Sequence, residues 1–170
     1  ADKIIYEKSK EFLLAEGKVK ITDNEGNILK TDKATYDKLN ELITTYGSTE
    51  LKIKEGYTLI SKNISYNTIK KILSSKEDSF FYDIDENKVE TTMFQYLIDK
   101  NLFSSVGKIK ITDIKQNIYF FKEVHVDTKN KEIIGSDVSV ILDEENFGLT
   151  ETSDPRFVAN DIYLSKNKSE

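Results

Sequence analysis

Few residues of this chain have the types and spacing that chemistry needs. His125 is the only histidine, and it stands between Val124 and Val126. In a strand this alternation points the imidazole away from the apolar face, so we interpret it as a surface side chain. Neither a Ser-His-Asp triad nor a histidine-rich metal site can be assembled around it. The sequence has no cysteine, which excludes disulfides, a thiol nucleophile and cysteine metal ligands.

Carboxylates are more numerous, but their positions indicate turns. The stretch DIDEN (residues 83–87) begins like a calcium-binding loop. Lys88 stands where such a loop has glycine, and Phe94 where it has the bidentate glutamate. Aspartates elsewhere repeat in one structural register, where capping and turn formation are their expected roles. We therefore predict that the protein is not an enzyme and has no catalytic residue, metal or cofactor.

The bulk composition is that of a folded domain with an ordinary solvated surface. The chain has 170 residues, with 25 Lys and Arg against 30 Asp and Glu, a net charge of −5. This mild, interspersed charge argues against a nucleic-acid partner. No apolar run reaches the roughly 18 residues of a transmembrane helix. The start at Ala1 without Met suits a processed exported protein and equally a trimmed fragment. We expect one domain over residues 1–170.

The elements that carry these residues recur every thirty positions, with units near 1–30, 31–60, 61–90, 91–120 and 121–149 and an interrupted last unit at 150–170. Five apolar columns share this period. They hold Ile4, Ala34, Ile64, Phe94 and Val124; Tyr6, Tyr36, Tyr66, Tyr96 and Val126; Leu13, Ile43, Leu73, Phe103 and Ile133; Ile21, Leu51, Phe81, Ile111 and Ile141; and Leu29, Leu59, Val89, Tyr119 and Leu149.

Each unit reads as strand, turn, strand, turn. GKVKITD (residues 17–23) superposes on GKIKITD (residues 107–113), and in both the apolar residues alternate with lysines. That period of two is typical of a half-buried strand. Polar segments separate the strands, and such short reversals join antiparallel neighbours.

The phase of the alternation slips once in every second strand. Leu29 and Thr31 share a face, but Ala34 and Tyr36 return to it only after one extra residue. The slip recurs near Asp32, Lys62, Thr92 and Lys122, as at a β-bulge or a sheet corner. We predict an all-β protein, an antiparallel β-jelly roll or V-shaped stack of hairpin repeats of about thirty residues.

Two other folds remain open at this point. SKEFLLAEG (residues 9–17) alone suits a helix that ends in a glycine cap, although the Thr, Ile and Ser of its sister copies weaken that interpretation. A parallel β-helix is the second alternative, but its coils usually carry tighter glycine-rich turns. The last unit holds an insertion at 150–157, after which residues 159–168 superpose on 31–40. The chain then stops part-way into a unit, so we expect an open-ended stack.

The repeat pattern resembles a known family. GKVKI (residues 17–21), a polar turn and LKTDKATYD (residues 29–37) look like the OstA-like repeat of periplasmic lipopolysaccharide-transport proteins, over essentially the whole chain. The ending, FGLTETSDPRFVANDIYLSKNKSE (residues 147–170), is similar to the segment upstream of the membrane barrel in outer-membrane assembly proteins of the LptD type. The chain departs from that type in lacking both the cysteines and the barrel. Its glycine column, Gly17, Gly47 and Gly107, is filled by Glu77 and Asp137 in two copies.

The resemblance implies a periplasmic domain, attached to the outer membrane in the full-length protein, that carries the acyl chains of lipopolysaccharide in an apolar groove and passes them to the barrel. A free periplasmic shuttle of the LptA type is the alternative. Candidate groove-lining residues are Ile4, Tyr6, Leu13, Val19, Ile21, Leu29, Ala34, Tyr36, Ile43, Leu51, Leu59, Ile64, Tyr66, Phe81, Phe94, Tyr96, Phe103, Ile109, Ile111, Tyr119, Phe121, Val124, Val126 and Ile133.

The open ends of the stack imply protein partners. We expect the edge at Asp2, Ile4 and Tyr6 to add to the sheet of another OstA-like repeat protein. The edge at Ala159, Ile162 and Leu164 would lead to the outer-membrane barrel, with its lipoprotein partner nearby. Two other functions stay open. One is a scaffold or adhesion module with a dry core. The other is a carbohydrate-binding jelly roll, which the lack of Trp disfavours.

Overall fold

The structure is a computed structural model that describes residues 1–24, 26–54, 56–143 and 155–165. These residues form fourteen strands and two short 3-10 turns, Lys8–Lys10 and Ile98–Lys100, but no α-helix. The strands are β1 (Lys3–Glu7), β2 (Phe12–Thr22), β3 (Ile28–Asp37), β4 (Leu42–Lys52), β5 (Thr58–Lys62), β6 (Ser65–Asn67), β7 (Ile72–Ser75), β8 (Ser79–Tyr82), β9 (Lys88–Thr91), β10 (Phe94–Leu97), β11 (Leu102–Thr112), β12 (Ile118–Asp127), β13 (Glu132–Ile141) and β14 (Arg156–Ser165). No helix in the described part is long and apolar enough to span a membrane.

The predicted all-β antiparallel stack is confirmed. Every pairing is antiparallel, and the strands on either side of each short polar turn lie next to each other. The helical alternative for residues 9–17 is wrong, because strand β2 begins at Phe12. The parallel β-helix is wrong too, since the short polar segments return the chain beside the strand it has just left.

Short strands in the middle of the chain are halves of longer, bent ones. The pairs β5 and β6, β7 and β8, and β9 and β10 each continue one strand across a break of two or three residues. In β2, β3 and β11 the strand is unbroken, but the register shifts between Glu16 and Val19, between Thr31 and Lys33, and between Val106 and Ile109. The predicted corner near Asp32, Lys62 and Thr92 is therefore present, and it lies at the same height in each strand.

The glycine column forms the corner in the intervening strands. Gly17, Gly47 and Gly107 have φ values of 74°, 82° and 114°. This left-handed region is open to glycine and costs other residues energy. In β13 the corner is made by Asp137, which has a φ of 50°. This corner contains one residue fewer than the corners that the glycines make. The sequence predicts that Ile141 shares the apolar column of Ile111. That prediction is wrong, because the shorter corner places Val140 of β13 at the position that Ile111 holds in β11.

The bend divides the sheet into two layers that face each other. We call the half that carries the tyrosine column the tyrosine layer. Successive cross-strand partners in it form a row of Tyr6, Leu13, Tyr36, Ile43, Tyr66, Leu73, Tyr96, Phe103, Val126, Ile133 and Leu164. The other half, the leucine layer, carries the row of Ile21, Leu29, Leu51, Leu59, Phe81, Val89, Ile111, Tyr119, Val140 and Phe157.

Turns along the free rim of the tyrosine layer also repeat. Each contains one residue with a φ between 48° and 57°, and these residues are thirty positions apart: Glu11, Glu41, Lys71, Asn101 and Lys131. In the first four of these turns the carbonyl of that residue accepts a hydrogen bond from the next turn, as Glu41 does from the Thr68 N–H at 2.9 Å. Stacked turns therefore hold the repeats in register. Leu149 and most of the predicted insertion at 150–157 lie outside the described residues, and the division into units stays a prediction.

We expect Gly47→Ala to lower the free energy of unfolding by about 1–2 kcal/mol, the cost of a left-handed residue with a Cβ. The nearest heavy atom to a Cβ at this position is Asp32 Oδ2 at 3.9 Å, so the loss is backbone strain and not collision. Gly47→Asn is the matched control, because asparagine tolerates this region and should lose less. Urea denaturation measures both. An alanine variant as stable as the wild type would contradict the role of the corner.

Candidate functional site

An apolar groove lies between the two layers at the N-terminal end of the stack. It is a cavity of about 290 Å³, lined by Ala1, Ile4, Leu13, Ala15, Val19, Lys20, Ile21, Ala34, Thr35, Tyr36 and Ile43. Ala15 and Ala34 are directly opposite each other in the register of β2 and β3. Because both end in a methyl group, neither reaches across to the leucine layer, and space remains there.

The groove opens at the edge of the sheet. Within the described part of the chain, strand β1 pairs only with the half of β2 that belongs to the tyrosine layer. Apolar side chains at this edge are in contact with solvent, with exposed fractions of 64% for Ile4, 54% for Tyr6 and 37% for Ile21. Contiguous exposed apolar surface of this kind marks binding sites more often than ordinary surface.

Hydroxyl groups occupy the interior of the middle units next to the bend. Thr45, Thr49 and Ser79 are at most 1% exposed. The Thr49 hydroxyl lies 2.8 Å from that of Thr45 in the other layer, and the Ser61 hydroxyl lies 2.7 Å from that of Ser79. These buried polar groups are thus satisfied by one another, and the pair of Thr45 and Thr49 ties the two layers together at the vertex.

Phenylalanines fill the interior beyond the hydroxyl groups. The Phe81 ring, from the leucine layer, meets Phe94 and Phe103 of the tyrosine layer edge-on, at centroid distances of 4.8 and 5.0 Å. Phe94 and Phe103 stack at 6.0 Å. Phe94 and Phe103 belong to the main buried cluster of the described residues, and Phe81 packs against it. The other members of the cluster are Leu59, Ile64, Leu73, Ile109, Phe121, Val124, Val138 and Val140. The interior therefore changes from open and small-residue-lined to closed and aromatic along the stack.

The predicted lining residues fall into three groups. Seven line the groove: Ile4, Leu13, Val19, Ile21, Ala34, Tyr36 and Ile43. Fifteen belong to the main cluster or pack against it: Leu51, Leu59, Ile64, Tyr66, Phe81, Phe94, Tyr96, Phe103, Ile109, Ile111, Tyr119, Phe121, Val124, Val126 and Ile133. Tyr6 is exposed at the edge and Leu29 is half-buried in the leucine-layer row.

The predicted edge residues lie on or beside the two outermost strands. Ile4 and Tyr6 are on β1, and the Asp2 N–H donates to the Glu16 and Gly17 carbonyls at 3.0 and 2.7 Å. Ala159, Ile162 and Leu164 are on β14, opposite Val138, Gly135 and Ile133 of β13. Among the fourteen described strands, β14 pairs with β13 alone.

Sequence reasoning missed Ala15, although a signal for it was present. Positions 15, 45, 75, 105 and 135 hold Ala, Thr, Ser, Ser and Gly, a column of small residues at the repeat period. Small side chains in one layer determine how much room the facing layer has. Its members differ in polarity, so a pattern of apolar residues does not reveal the column.

His125 and Asp83 lie where the sequence predicts. His125 is on the outer face of the tyrosine layer, with Nε2 3.0 Å from Glu123 Oε1. Asp83 Oδ1 accepts hydrogen bonds from the Asp85 and Asn87 N–H groups, both at 2.9 Å, so this carboxylate organises a turn. Among the described residues, no three His, Asp or Glu side chains come together as metal ligands would.

One carboxylate ties the rim of the groove to the next repeat. Glu41 Oε2 accepts hydrogen bonds from the Thr68 hydroxyl and the Tyr36 hydroxyl, each at 2.7 Å. These bonds, with Thr68 contributing most, lower the pKa of the Glu41 carboxyl below its usual value of 4.5. The hydrogen bond between Tyr36 and Glu41 also raises the pKa of the Tyr36 hydroxyl. Tyr36 is thereby held in place as a wall of the groove.

The fold and site define an antiparallel β-repeat protein with an apolar trough between two layers. Among solved structures the chain is similar to LptH of Pseudomonas aeruginosa, whose crystal structure is described as the LptA homologous periplasmic component of the conserved lipopolysaccharide transport device. The identity is 14% and the TM-score 0.31, over 94% of this chain and 90% of that chain. A likeness this low carries no argument about this protein. No protein-family model and no curated protein matches the chain.

We expect Glu41→Gln to make the free energy of unfolding less dependent on pH under acidic conditions. The folded-state pKa of Glu41 is lowered, so its contribution is fully present above the unfolded-state pKa. It is lost as the pH falls through the lowered folded value. Glutamine does not titrate, so this loss disappears in the variant. Urea midpoints measured at decreasing pH for both proteins give the difference. Tyr36→Phe, which removes one of the two donors, should show part of the effect. If the urea midpoints of all three proteins fell equally with decreasing pH, this account would be contradicted.

Proposed function

We propose that this chain is a periplasmic domain that binds lipopolysaccharide through its acyl chains and passes it toward the outer membrane. The observation that supports this most is the groove at the N-terminal edge. It is walled by apolar side chains of both layers, and Ala15 and Ala34 leave it unfilled. Its open edge exposes Ile4 to solvent, so a hydrocarbon chain can enter without displacing a packed core.

Hydrocarbon burial alone is sufficient for such binding. Each CH₂ group transferred from water to an apolar wall contributes about 0.8 kcal/mol. The groove wall offers few polar groups, chiefly those of Lys20, Thr35 and Tyr36. A ligand held mainly by apolar contact keeps a similar energy as it slides along a row of similar side chains. Transfer between sites of this kind therefore needs no reaction, only an energy source outside this domain.

The finer assignment rests on sequence. The resemblance of residues 17–37 to the OstA-like repeat, and of residues 147–170 to the segment before the barrel, favours a domain of the LptD type. In that arrangement β14 leads to the outer-membrane barrel and its lipoprotein partner. The alternative is a free shuttle of the LptA type, which uses the same groove. Both place the domain in the periplasm.

A protein-only scaffold is the second candidate function. The closely packed cluster around Phe94, Phe103 and Val124 favours it, since those residues are at most 8% exposed and leave no room for a ligand. The groove at the other end of the stack favours the lipid carrier. Ligand retention decides between the two.

We expect Ala34→Leu to weaken retention of lipopolysaccharide by about tenfold to a hundredfold. The added carbons project into the groove, and overfilling an apolar site costs roughly 1–3 kcal/mol. Native mass spectrometry after mild extraction measures how much lipid copurifies. Ala159→Leu, the same exchange at an exposed position of β14, is the control. Equal occupancy in both variants, or no lipid on the wild type, would favour the scaffold.

We also propose that β1 adds to the sheet of an equivalent repeat protein. Unpaired edges invite strand addition, and inward-pointing charges prevent it. All five residues of β1 are exposed, and Ile4 belongs to the inward face. Ile4→Lys and a deletion of residues 1–7 should therefore both reduce association with a second, tagged copy of this chain, which presents the β14 edge. Sedimentation of the mixture measures this. Unchanged association in both variants would contradict strand addition at β1.

A further inference from the structure

The free rim of the tyrosine layer carries two of the most exposed apolar side chains of the described residues. Leu39 is 71% exposed and Ile69 is 73% exposed. They are thirty positions apart and hold the same place in two successive turns. The Thr68 N–H donates to the Glu41 carbonyl at 2.9 Å, and the Thr68 hydroxyl to Glu41 Oε2 at 2.7 Å. These bonds fix one turn against the other, so the two apolar side chains are held on neighbouring turns of one edge.

Charge distinguishes this rim from the free rim of the leucine layer. We call the turns at residues 7–11, 37–41, 67–71, 97–101 and 127–131 the tyrosine rim, and those at residues 23–27, 53–57, 83–87 and 113–117 the leucine rim. The tyrosine rim contains eight lysines and six carboxylates, whereas the leucine rim contains two lysines and seven carboxylates. An anionic surface therefore attracts the tyrosine rim and repels the leucine rim.

The third turn of the tyrosine rim carries cationic charge that no carboxylate neutralises. Lys70 and Lys71 follow Ile69 directly, and both are exposed. Neither forms an ion pair with another described residue, and the turn itself, residues 67–71, has no Asp or Glu. Lysines beside exposed apolar side chains are typical of protein segments that lie at the surface of an anionic membrane.

This part of the tyrosine rim lies beside the apolar groove. Leu39 is in the turn that joins β3 to β4, between Tyr36 and Ile43, which both line the groove. Leu39 is three residues from Tyr36 and four from Ile43, a reach of at most about 10–14 Å along the chain. A bilayer that contacts Leu39 is therefore close to the place where we propose that an acyl chain is held.

We infer that the second and third turns of the tyrosine rim dock on the surface of an anionic phospholipid bilayer. Leu39 and Ile69 enter the lipid surface, and Lys70 and Lys71 lie against the phosphates. The inference goes beyond the proposed function, because this contact forms whether or not the groove holds a ligand. Strands β1 and β14 lie at the two ends of the stack, so docking through the rim leaves both of them free for protein partners.

Cosedimentation with vesicles tests the docking. We expect the wild type to bind vesicles of phosphatidylglycerol and phosphatidylethanolamine in equal parts at least about tenfold more tightly than vesicles of phosphatidylcholine, because the lysines are attracted to anionic lipid. Leu39→Ser combined with Ile69→Ser should weaken this binding by about tenfold or more, since two apolar side chains no longer leave water. Lys70→Gln combined with Lys71→Gln should weaken it by about fivefold for each lysine.

The leucine rim supplies the matched control. Ile84 and Ile114 also hold the same place in two turns thirty positions apart, and they are 61% and 63% exposed. Ile84→Ser combined with Ile114→Ser therefore removes similar apolar surface from the acidic rim. We expect this pair of substitutions to leave binding to the anionic vesicles unchanged.

A tryptophan reporter separates insertion into lipid from attraction by charge alone. The chain has no Trp, so Ile69→Trp adds a single indole to the tyrosine rim. Its fluorescence emission should shift to shorter wavelength when the anionic vesicles are added, because the indole leaves water. Ile114→Trp places the same reporter on the leucine rim, and its emission should stay unshifted.

Three results would overturn the docking. The wild type does not bind the anionic vesicles, or both serine pairs weaken binding equally, or the lysine substitutions alone weaken binding while Ile69→Trp shows no shift. The last result would mean that the rim attracts negative charge without entering lipid, as it would on an acidic protein surface. Lipid that copurifies in the groove is measured separately on the same proteins, so its absence beside normal vesicle binding would count against the proposed function alone.

Discussion

Every other feature of this protein depends on the single bend that each long strand makes at the same height. A β-strand that carries apolar residues on one face needs something to cover that face. Here the strand covers itself, because the corner turns its two halves toward each other. The left-handed backbone at Gly17, Gly47 and Gly107 allows that turn in alternate strands, and one extra residue allows it in the others. The left-handed glycine and the extra residue each act only within their own strand. Because they recur at the same height in every strand, the sheet as a whole folds into two layers with an interior between them.

What fills that interior is decided by the residues nearest the corner. The small-residue column of the repeat holds Ala15, Thr45 and Gly135 at different places along the stack, and the interior is filled differently beside each of them. Alanine leaves a groove, threonine forms hydrogen bonds across the vertex, and glycine admits the Phe121 ring. One backbone template thus supports an open, a polar and a closed section. The section that is free to take a ligand is the one whose small residues meet no large partner from the other layer.

Much of the fold followed from the sequence, because the thirty-residue period reports backbone positions directly. The strands, the turns and the corner near Asp32 are all local consequences of that period. The exception is Val140, which occupies the column position predicted for the next residue. Because β13 makes its corner at Asp137 with one residue fewer, the column shifts by one position, and no insertion or deletion in the sequence marks the shift. The groove was harder to locate. Its existence depends on which side chains meet across the layers, as Phe81 meets Phe103. Such contacts are set by the angle of the bend, and sequence spacing does not report that angle.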